Sequence, residues 1–263
     1  MNTENTSEYF ENLKQQISAA PEGVDISKLL EMLESIENPP EERVKIWFLL
    51  DRSGSMSHLA SDVIGGFNQF VTDQAAKPGE ASLTAVQFDG DDPFEVIYDA
   101  KALEEVSELT SSTYWARGVT PLYDALGHLI ETADKRIAER SDGGEPVEDQ
   151  LVLVFTDGLE NASVRFERSS IFKMIKERMD KDWTFVFMGA NQDSYAEGGR
   201  IGLVDGNVQN YAMTPSSIGD AFGSMSRATS DYRGKSRARR VSEKERFFGD
   251  VKEAEEALKN SKE

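Results

Sequence analysis

Apolar segments suited to buried strands alternate along this chain with segments of helical periodicity. Residues 44–50 and 151–155 are almost continuously apolar, as expected of strands that are covered on both faces. After the first of these runs, Leu59, Val63 and Phe67 recur at helical spacing. Alternation of strand and helix is typical of an α/β fold with a doubly wound, mostly parallel sheet. The order of the elements therefore predicts that fold class.

The remaining segments extend this pattern, with one exception at an edge of the sheet. A tight turn at residues 89–93 joins the predicted strands 83–88 and 94–98, so these two strands form an antiparallel hairpin. The later segments predict a helix at 164–180, a strand at 183–188, a short strand at 208–213 and a helix from Thr214. We therefore expect a mostly parallel sheet with one antiparallel edge strand.

An extension flanks the α/β pattern at each end. Residues 1–40 predict two short amphipathic helices, which either pack on the domain or are presented to a partner groove. We place the α/β domain at residues 43–232. Residues 233–263 then form a basic linker and a C-terminal amphipathic helix, which docks on the domain or on another subunit. The basic stretch 227–240 is interpreted as a solvated linker, with binding to an acidic partner or RNA as the alternative.

The composition argues against several classes of protein. With 263 residues, of which 38% are hydrophobic, the chain can bury a sizeable core. It has no cysteine, which excludes disulfides and thiolate metal ligands. The net charge of −19 argues against general nucleic-acid binding, which depends on Lys and Arg at phosphates. The N-terminus is unlike a signal peptide and no apolar run reaches membrane-spanning length, so we expect a cytoplasmic protein without membrane contact.

Oxygen-bearing side chains follow two of the predicted buried strands and precede one helix. They are Asp51, Ser53 and Ser55 after the first strand, Thr120 before a helix and Asp157 after a second strand. The ligand site of an open α/β sheet lies beyond the carboxyl ends of its parallel strands, so these side chains are expected to meet there. Oxygen ligands suit Mg²⁺ or Mn²⁺. Each residue alone is also an ordinary turn or helix-cap residue, and only the combination indicates a metal site.

The combination of Asp51-x-Ser53-x-Ser55, Thr120 and Asp157-Gly158 resembles the metal-ion-dependent adhesion site of von Willebrand factor A (vWA) domains. The resemblance extends from about Val44 to about Tyr232 and is to the small intracellular bacterial members of the family. It implies a six-stranded, Rossmann-like sheet with one antiparallel edge strand. It also implies a bound Mg²⁺ or Mn²⁺, toward which Asp51 and Asp157 act mainly through bound waters.

A cation held in this way is incompletely neutralised, and its open coordination position favours a carboxylate. We therefore predict metal-dependent protein–protein interaction, in which a partner supplies an Asp or Glu. One alternative is a structural scaffold or homo-oligomer that assembles through its terminal helices, with the metal only stabilising loops. Catalysis is not expected, because the chain lacks a Gly-x-Ser-x-Gly elbow and a convincing Ser-His-Asp set. The rim that would face the partner is predicted to contain His58, Trp115, Arg117, Glu160, Asn161 and Asn191.

Overall fold

A mixed sheet organises the part of the chain that the structure describes. The computed structural model describes residues 43–146, 148–190 and 194–249, and in addition Lys14 and Ile17. The strands are β1 (Val44–Asp51), β2 (Ala81–Phe88), β3 (Glu95–Ala102), β4 (Asp149–Thr156), β5 (Thr184–Ala190) and β6 (Val208–Tyr211). These six strands lie in the order β3-β2-β1-β4-β5-β6. Neighbouring strands are parallel except β2 and β3, which pair antiparallel at one edge.

Helices cover both faces of this sheet. They are α1 (Ala60–Ala75), α2 (Leu122–Asp142), α3 (Arg168–Met179), α4 (Ser194–Arg200), α5 (Pro215–Gly234) and α6 (Arg237–Ser242), and a 3₁₀ helix, Gly54–Leu59, leads from β1 into α1. Helices α1 and α5 share a hydrophobic core with one face of the sheet, whereas α2 and α3 share a second core with the other face. The predicted fold class, a doubly wound α/β sheet with one antiparallel edge strand, is confirmed.

The two cores explain why β1 and β4 show no alternation of apolar and polar residues. Every residue of both strands is buried. Phe48 packs into the core beneath α1 and α5, and its neighbour Leu49 packs into the core beneath α2 and α3. Full burial of such a side chain stabilises the fold by about 1.5–3 kcal/mol. The two strands are therefore firmly held, and so are the positions at which their following loops begin.

The helix predicted at residues 164–180 begins later than expected, at Arg168. The backbone N–H groups of residues 164–166 instead donate to the carboxylate of Asp124, at 2.8–2.9 Å. These N–H groups take no part in helical hydrogen bonding, because a buried carboxylate on α2 accepts from all three. The segment before α3 is consequently an ordered loop next to the start of α2.

The described part of the C-terminal segment packs against the α/β domain. Helix α5 runs through Gly234, so the boundary predicted after residue 232 falls inside a helix. Phe247 and Phe248 are buried in the core that contains α1 and α5. Of the two alternatives for this segment, docking on its own domain is the arrangement seen up to Gly249.

The basic stretch 227–240 also makes internal contacts. Arg240 is buried and donates to Asp149 Oδ2 at 2.7 Å. Arg233 is buried as well, and it donates to three backbone carbonyl groups at and just after the end of α1. These two arginines tie the C-terminal segment to the rest of the domain, which the interpretation as a solvated linker did not anticipate.

Two predicted segments lie almost entirely outside the described residues. They are the N-terminal helical pair at residues 1–40 and the distal part of the C-terminal helix at residues 250–263. Within the described part of the chain, none of the helices has both the length and the apolar character needed to cross a membrane.

Candidate metal centre

The carboxyl ends of β1 and β4 lie side by side, because these strands are parallel neighbours. Leu50 pairs with Phe155, so the last residues of the two strands, Asp51 and Thr156, occupy the same edge of the sheet. Asp157 follows directly after β4. The register of the strands thus brings together two carboxylates that are far apart in the sequence.

Both carboxylate oxygens of Asp51 accept hydrogen bonds from the chain. Oδ1 accepts from the backbone N–H of Ser53 at 2.6 Å, and Oδ2 accepts from Thr156 Oγ1 at 2.5 Å. Tyr114 Oη donates to the backbone carbonyl of Asp51 at 2.6 Å. These bonds fix the orientation of the carboxylate. Neither Thr156 nor Tyr114 could be recognised from the sequence as a partner of Asp51, because Thr156 belongs to an apolar strand and Tyr114 to a distant loop.

Two serine hydroxyls connect the loop after β1 to Asp157. Ser53 Oγ and Ser55 Oγ are 3.1 Å apart, and Ser55 Oγ donates to Asp157 Oδ1 at 2.8 Å. The other oxygen, Asp157 Oδ2, is buried and has no hydrogen-bond partner among the described residues. Buried acceptors of this kind are uncommon and often mark the place of an ion or a water. Four of the predicted ligands therefore form a continuous cluster.

Thr120 reaches the cluster from a third loop. Helix α2 begins at Leu122 with Pro121 as its N-cap residue, so Thr120 is not the residue that caps the helix. The Thr120 side chain is buried against Gly158, where a Cβ atom would lie 2.9 Å from Thr120 Oγ1. Glycine at position 158 thus leaves room for this hydroxyl next to Asp157. All the predicted ligands lie at one edge of the sheet.

The donor set fits a hard divalent cation. Burial raises the pKa of Asp51 to about 6, against the lowering effect of its hydrogen bonds from Thr156 and Ser53. Burial also raises the pKa of Asp157. A cation beside the two carboxylates would favour their ionised forms. In the described ranges no three His, Cys, Asp or Glu side chains are grouped as a metal site, so a cation here would depend on hydroxyl oxygens as well.

Comparisons with known proteins bear on the fold. No protein-family model matches this sequence, and no curated protein matches it. The pilus adhesin SpaC from Lactobacillus rhamnosus GG, in its open conformation, gives a TM-score of 0.52 at 12% identity, covering 72% of this chain and 30% of that chain. A von Willebrand factor type A structure from Catenulispora acidiphila gives a TM-score of 0.47 at 14% identity, covering 72% of this chain and 43% of that chain. Manganese-loaded TRAP protein from Plasmodium vivax gives a TM-score of 0.49 at 14% identity, covering 69% of this chain and 72% of that chain.

At these identities the likeness concerns the fold alone. The strand order, the antiparallel pairing of β2 with β3 and the helices on both faces are those expected of a vWA domain. The fold is of the vWA type. This chain spans less than half the length of the Catenulispora chain and under a third of SpaC, at 43% and 30%.

An ion-pair network lies beside the predicted metal ligands of this vWA-type fold. Arg52 and Arg117 both donate to Asp89 Oδ2, at 3.0 Å in the case of Arg117. Trp115 contacts both guanidinium groups, with 5.5 Å from its ring centroid to Arg52 Cζ and 5.7 Å to Arg117 Cζ. Asp89 therefore joins the loop after β1 to the loop before α2. The sequence did not indicate Asp89 as part of the site, since it lies in a turn that carries none of the predicted metal ligands.

The other predicted rim residues differ in their surroundings. The Glu160 carboxylate accepts hydrogen bonds from three backbone N–H groups and one hydroxyl, so it stabilises the loop after β4 and the start of α2. Asn161 bonds to the backbone of Thr120. His58 is exposed, and a positive charge on its ring would oppose the effect of burial on the pKa of Asp157. Asn191 lies outside the described residues.

Proposed function

We propose that this protein is a divalent-cation-dependent protein-interaction module, in which Mg²⁺ or Mn²⁺ links the domain to an Asp or Glu of a partner. The residues that would hold the cation are Asp51, Ser53, Ser55, Thr120 and Asp157. The observation that carries the proposal is their convergence at the loop of Asp157, whose buried Oδ2 accepts no hydrogen bond from the described residues. A bound cation would supply an electrophilic centre for the incoming carboxylate.

The hydrogen bonds within the site favour a ligand from outside the chain. Both oxygens of Asp51 already accept bonds, so direct contact with a cation falls mainly to the neutral hydroxyls and to Asp157 Oδ2. A cation surrounded in this way remains electrophilic, and an anionic oxygen from a partner completes its shell favourably. Arg117 lies beside the site with its side chain 35% exposed, where it can pair with the same acidic residue.

Exposed apolar side chains surround the same edge of the sheet. In the described chain, seven large hydrophobic residues are exposed, and two of them, Val96 and Phe172, lie on β3 and α3. The others flank the ligands or follow a strand end, namely Trp115, Val119, Leu159, Val164 and Tyr195. Clustering of apolar groups around a polar centre favours a protein partner over a small substrate.

The surroundings of the histidines support a non-catalytic role. The chain has two histidines. His128 lies on α2, with its ring against those of Phe94 and Phe166, which is a structural position. His58 is exposed, and no side chain of the described residues forms a hydrogen bond that would orient it as a general base. Binding therefore accounts for the site better than acid–base chemistry does.

Cation binding can be followed through Trp115. Trp47 and Trp183 are buried, whereas Trp115 is 44% exposed and lies beside the proposed ligands. Because Mn²⁺ is paramagnetic, we expect it to quench the fluorescence of Trp115 in a saturable manner that EDTA reverses. Trp115→Phe should remove the saturable component.

Partner capture tests the second half of the proposal. Immobilised wild-type protein is exposed to a lysate with Mg²⁺ or with EDTA, and bound proteins are identified by mass spectrometry. We expect a partner that is lost with EDTA and lost with Ser53→Ala. Ser57→Ala is the matched control, because Ser57 is exposed in the 3₁₀ helix that follows Ser53 and is not a proposed ligand. Capture that is unaffected by EDTA and by Ser53→Ala would contradict the proposal.

A further inference from the structure

We infer that Asn161 positions the Thr120 hydroxyl for the cation, an inference that rests on the proposed function. Asn161 contacts Thr120 at both backbone polar groups. Its side-chain Oδ1 accepts a hydrogen bond from Thr120 N at 2.9 Å, and its backbone N–H donates to Thr120 O at 3.1 Å. One residue of the loop after β4 therefore fixes the residue that presents the third hydroxyl.

The chain before Thr120 is anchored from the opposite side. Gly118 has a φ of +67°, a conformation that residues with a Cβ atom rarely adopt, and its carbonyl accepts from Gly54 N at 3.0 Å. Thr120 thus lies between the loop after β1 and the loop after β4. Asn161 supplies the contact from the side of Asp157.

Close packing makes the position of the hydroxyl sensitive to this contact. A Cβ atom on Gly158 would lie 2.9 Å from Thr120 Oγ1 and 3.5 Å from Thr120 Cγ2, so the side chain has little free space on that side. Without Asn161 Oδ1, the Thr120 N–H loses its acceptor, and the peptide turns to find another one or water. The hydroxyl then leaves its place beside Asp157.

Two substitutions of Asn161 separate the positioning contact from the side chain as a whole. Residues that orient metal ligands without touching the metal typically change metal affinity by about 10–100-fold when they are replaced. We expect Asn161→Ala to weaken Mn²⁺ binding by that factor. Asn161→Asp keeps an oxygen for the Thr120 N–H, and it should bind Mn²⁺ at least as tightly as the wild type. Circular dichroism in EDTA verifies that both variants are folded.

Asn68 provides a matched control away from the site. Its side chain holds the backbone of Leu109 in a similar way, with Oδ1 accepting from Leu109 N at 2.8 Å and Nδ2 donating to Leu109 O at 2.9 Å. Asn68→Ala should lower the melting temperature and leave Mn²⁺ affinity unchanged. A purely structural role for Asn161 predicts the same behaviour for Asn161→Ala.

A double-mutant cycle with Thr120→Ala decides whether Asn161 acts through the hydroxyl. In that case Asn161→Ala causes no further loss of Mn²⁺ affinity in the Thr120→Ala background. Additive losses, or equal affinities of Asn161→Ala and the wild type, would overturn the inference and leave the proposed function standing. A wild-type protein that binds no Mn²⁺ would instead overturn the proposed function.

Discussion

The two carboxylate oxygens of Asp157 have unequal surroundings. Oδ1 accepts a hydrogen bond from Ser55, whereas Oδ2 is buried and the described part of the chain offers it no donor. An acceptor that has lost water and gained no partner costs about 1–3 kcal/mol. A cation bound between Asp157 and the neighbouring hydroxyls would offset this cost, so occupancy of the site should be visible in the stability of the whole domain.

Asp157→Asn should separate the stability of the metal-free protein from its response to metal. The amide keeps an oxygen for Ser55, and it removes a carboxyl group whose pKa is raised by burial. Because that carboxylate ionises more readily in the unfolded state, it destabilises the folded state near neutral pH, and Asn removes the penalty. In EDTA we expect a melting temperature no lower than that of the wild type, and no stabilisation by Mn²⁺. A variant that melts earlier in EDTA yet is still stabilised by Mn²⁺ would contradict this expectation.

Lys45 is a second buried ionisable residue, at the other end of β1. It is fully buried, and Nζ donates to Thr84 Oγ1 at 2.7 Å. Burial, followed by the positive charge of Arg136, lowers the pKa of Lys45 from 10.5 to about 7. Between these two values the unfolded state binds more protons than the folded state, so the contribution of Lys45 to stability rises with pH.

Lys45→Met should remove this dependence on pH. Relative to the variant, the wild-type free energy of unfolding should rise by a few kcal/mol between about pH 7 and about pH 10. Urea denaturation at a series of pH values measures the difference in unfolding free energy between the two proteins. Groups that titrate in both proteins contribute equally to each and do not affect this difference. Parallel pH profiles for the two proteins would show that Lys45 is charged in the folded state throughout this range.

Among the elements, α6 and the residues that follow it cover the amino ends of the central strands. Arg240, on α6, contacts Asp149, the first residue of β4. Phe248 N donates to Gly206 O at 3.0 Å, just before β6. This part of the chain therefore lies at the edge of the sheet opposite to the proposed metal ligands. Assembly through its buried phenylalanines would require the segment to detach, which weakens the scaffold alternative.

Arg240→Met is expected to destabilise the domain strongly. The pair with Asp149 is buried, at 1% and 6% side-chain exposure, and removal of one partner from such a pair typically costs about 3–5 kcal/mol. Arg239→Met is the control, because Arg239 pairs with Glu243 near the surface, where the loss is about 0–1 kcal/mol. Urea denaturation compares the two variants. Equal losses of unfolding free energy in the two variants would show that the buried pair contributes no more to stability than the surface pair.

Strand ends could be predicted from the sequence, whereas contacts between loops could not. The apolar runs located β1 and β4, and through them placed Asp51 and Asp157 at one edge. No local pattern shows that Asp89 joins two arginines, or that Asp124 accepts from the backbone of residues 164–166. Such contacts depend on how distant loops meet in space, and hydrophobic periodicity carries no information about that.

The whole molecule carries a net charge of −19, which acts on both the cation and the acidic partner that are proposed to bind at the site. Its field attracts a divalent cation and repels an acidic partner, within a screening distance of about 10 Å at 0.1 M salt. Close to the site, the charge of a bound cation dominates over the field of the molecule. We therefore expect metal binding to come before partner binding.

Mn²⁺ affinity should consequently fall as ionic strength is raised. Between about 0.01 M and about 1 M salt the screening distance shrinks from about 30 Å to about 3 Å, so the attraction by distant carboxylates disappears. Titration of Trp115 fluorescence measures the affinity at each salt concentration. Tetramethylammonium chloride should act like NaCl, because screening does not depend on which monovalent cation is present. An affinity that is independent of salt would show that only the nearest groups matter.

Both ends of the described domain lie by the amino ends of the strands. The carbonyl of Arg43 accepts from the backbone N–H of Asp149 at 3.0 Å, and the segment ending at Gly249 packs beside the start of β6. A tether attached at Arg43 or Gly249 would therefore leave the far edge of the sheet facing outward. Anchored in this way to a bead or a sensor chip, the protein would display Trp115 and the oxygen cluster to the solution without a designed spacer.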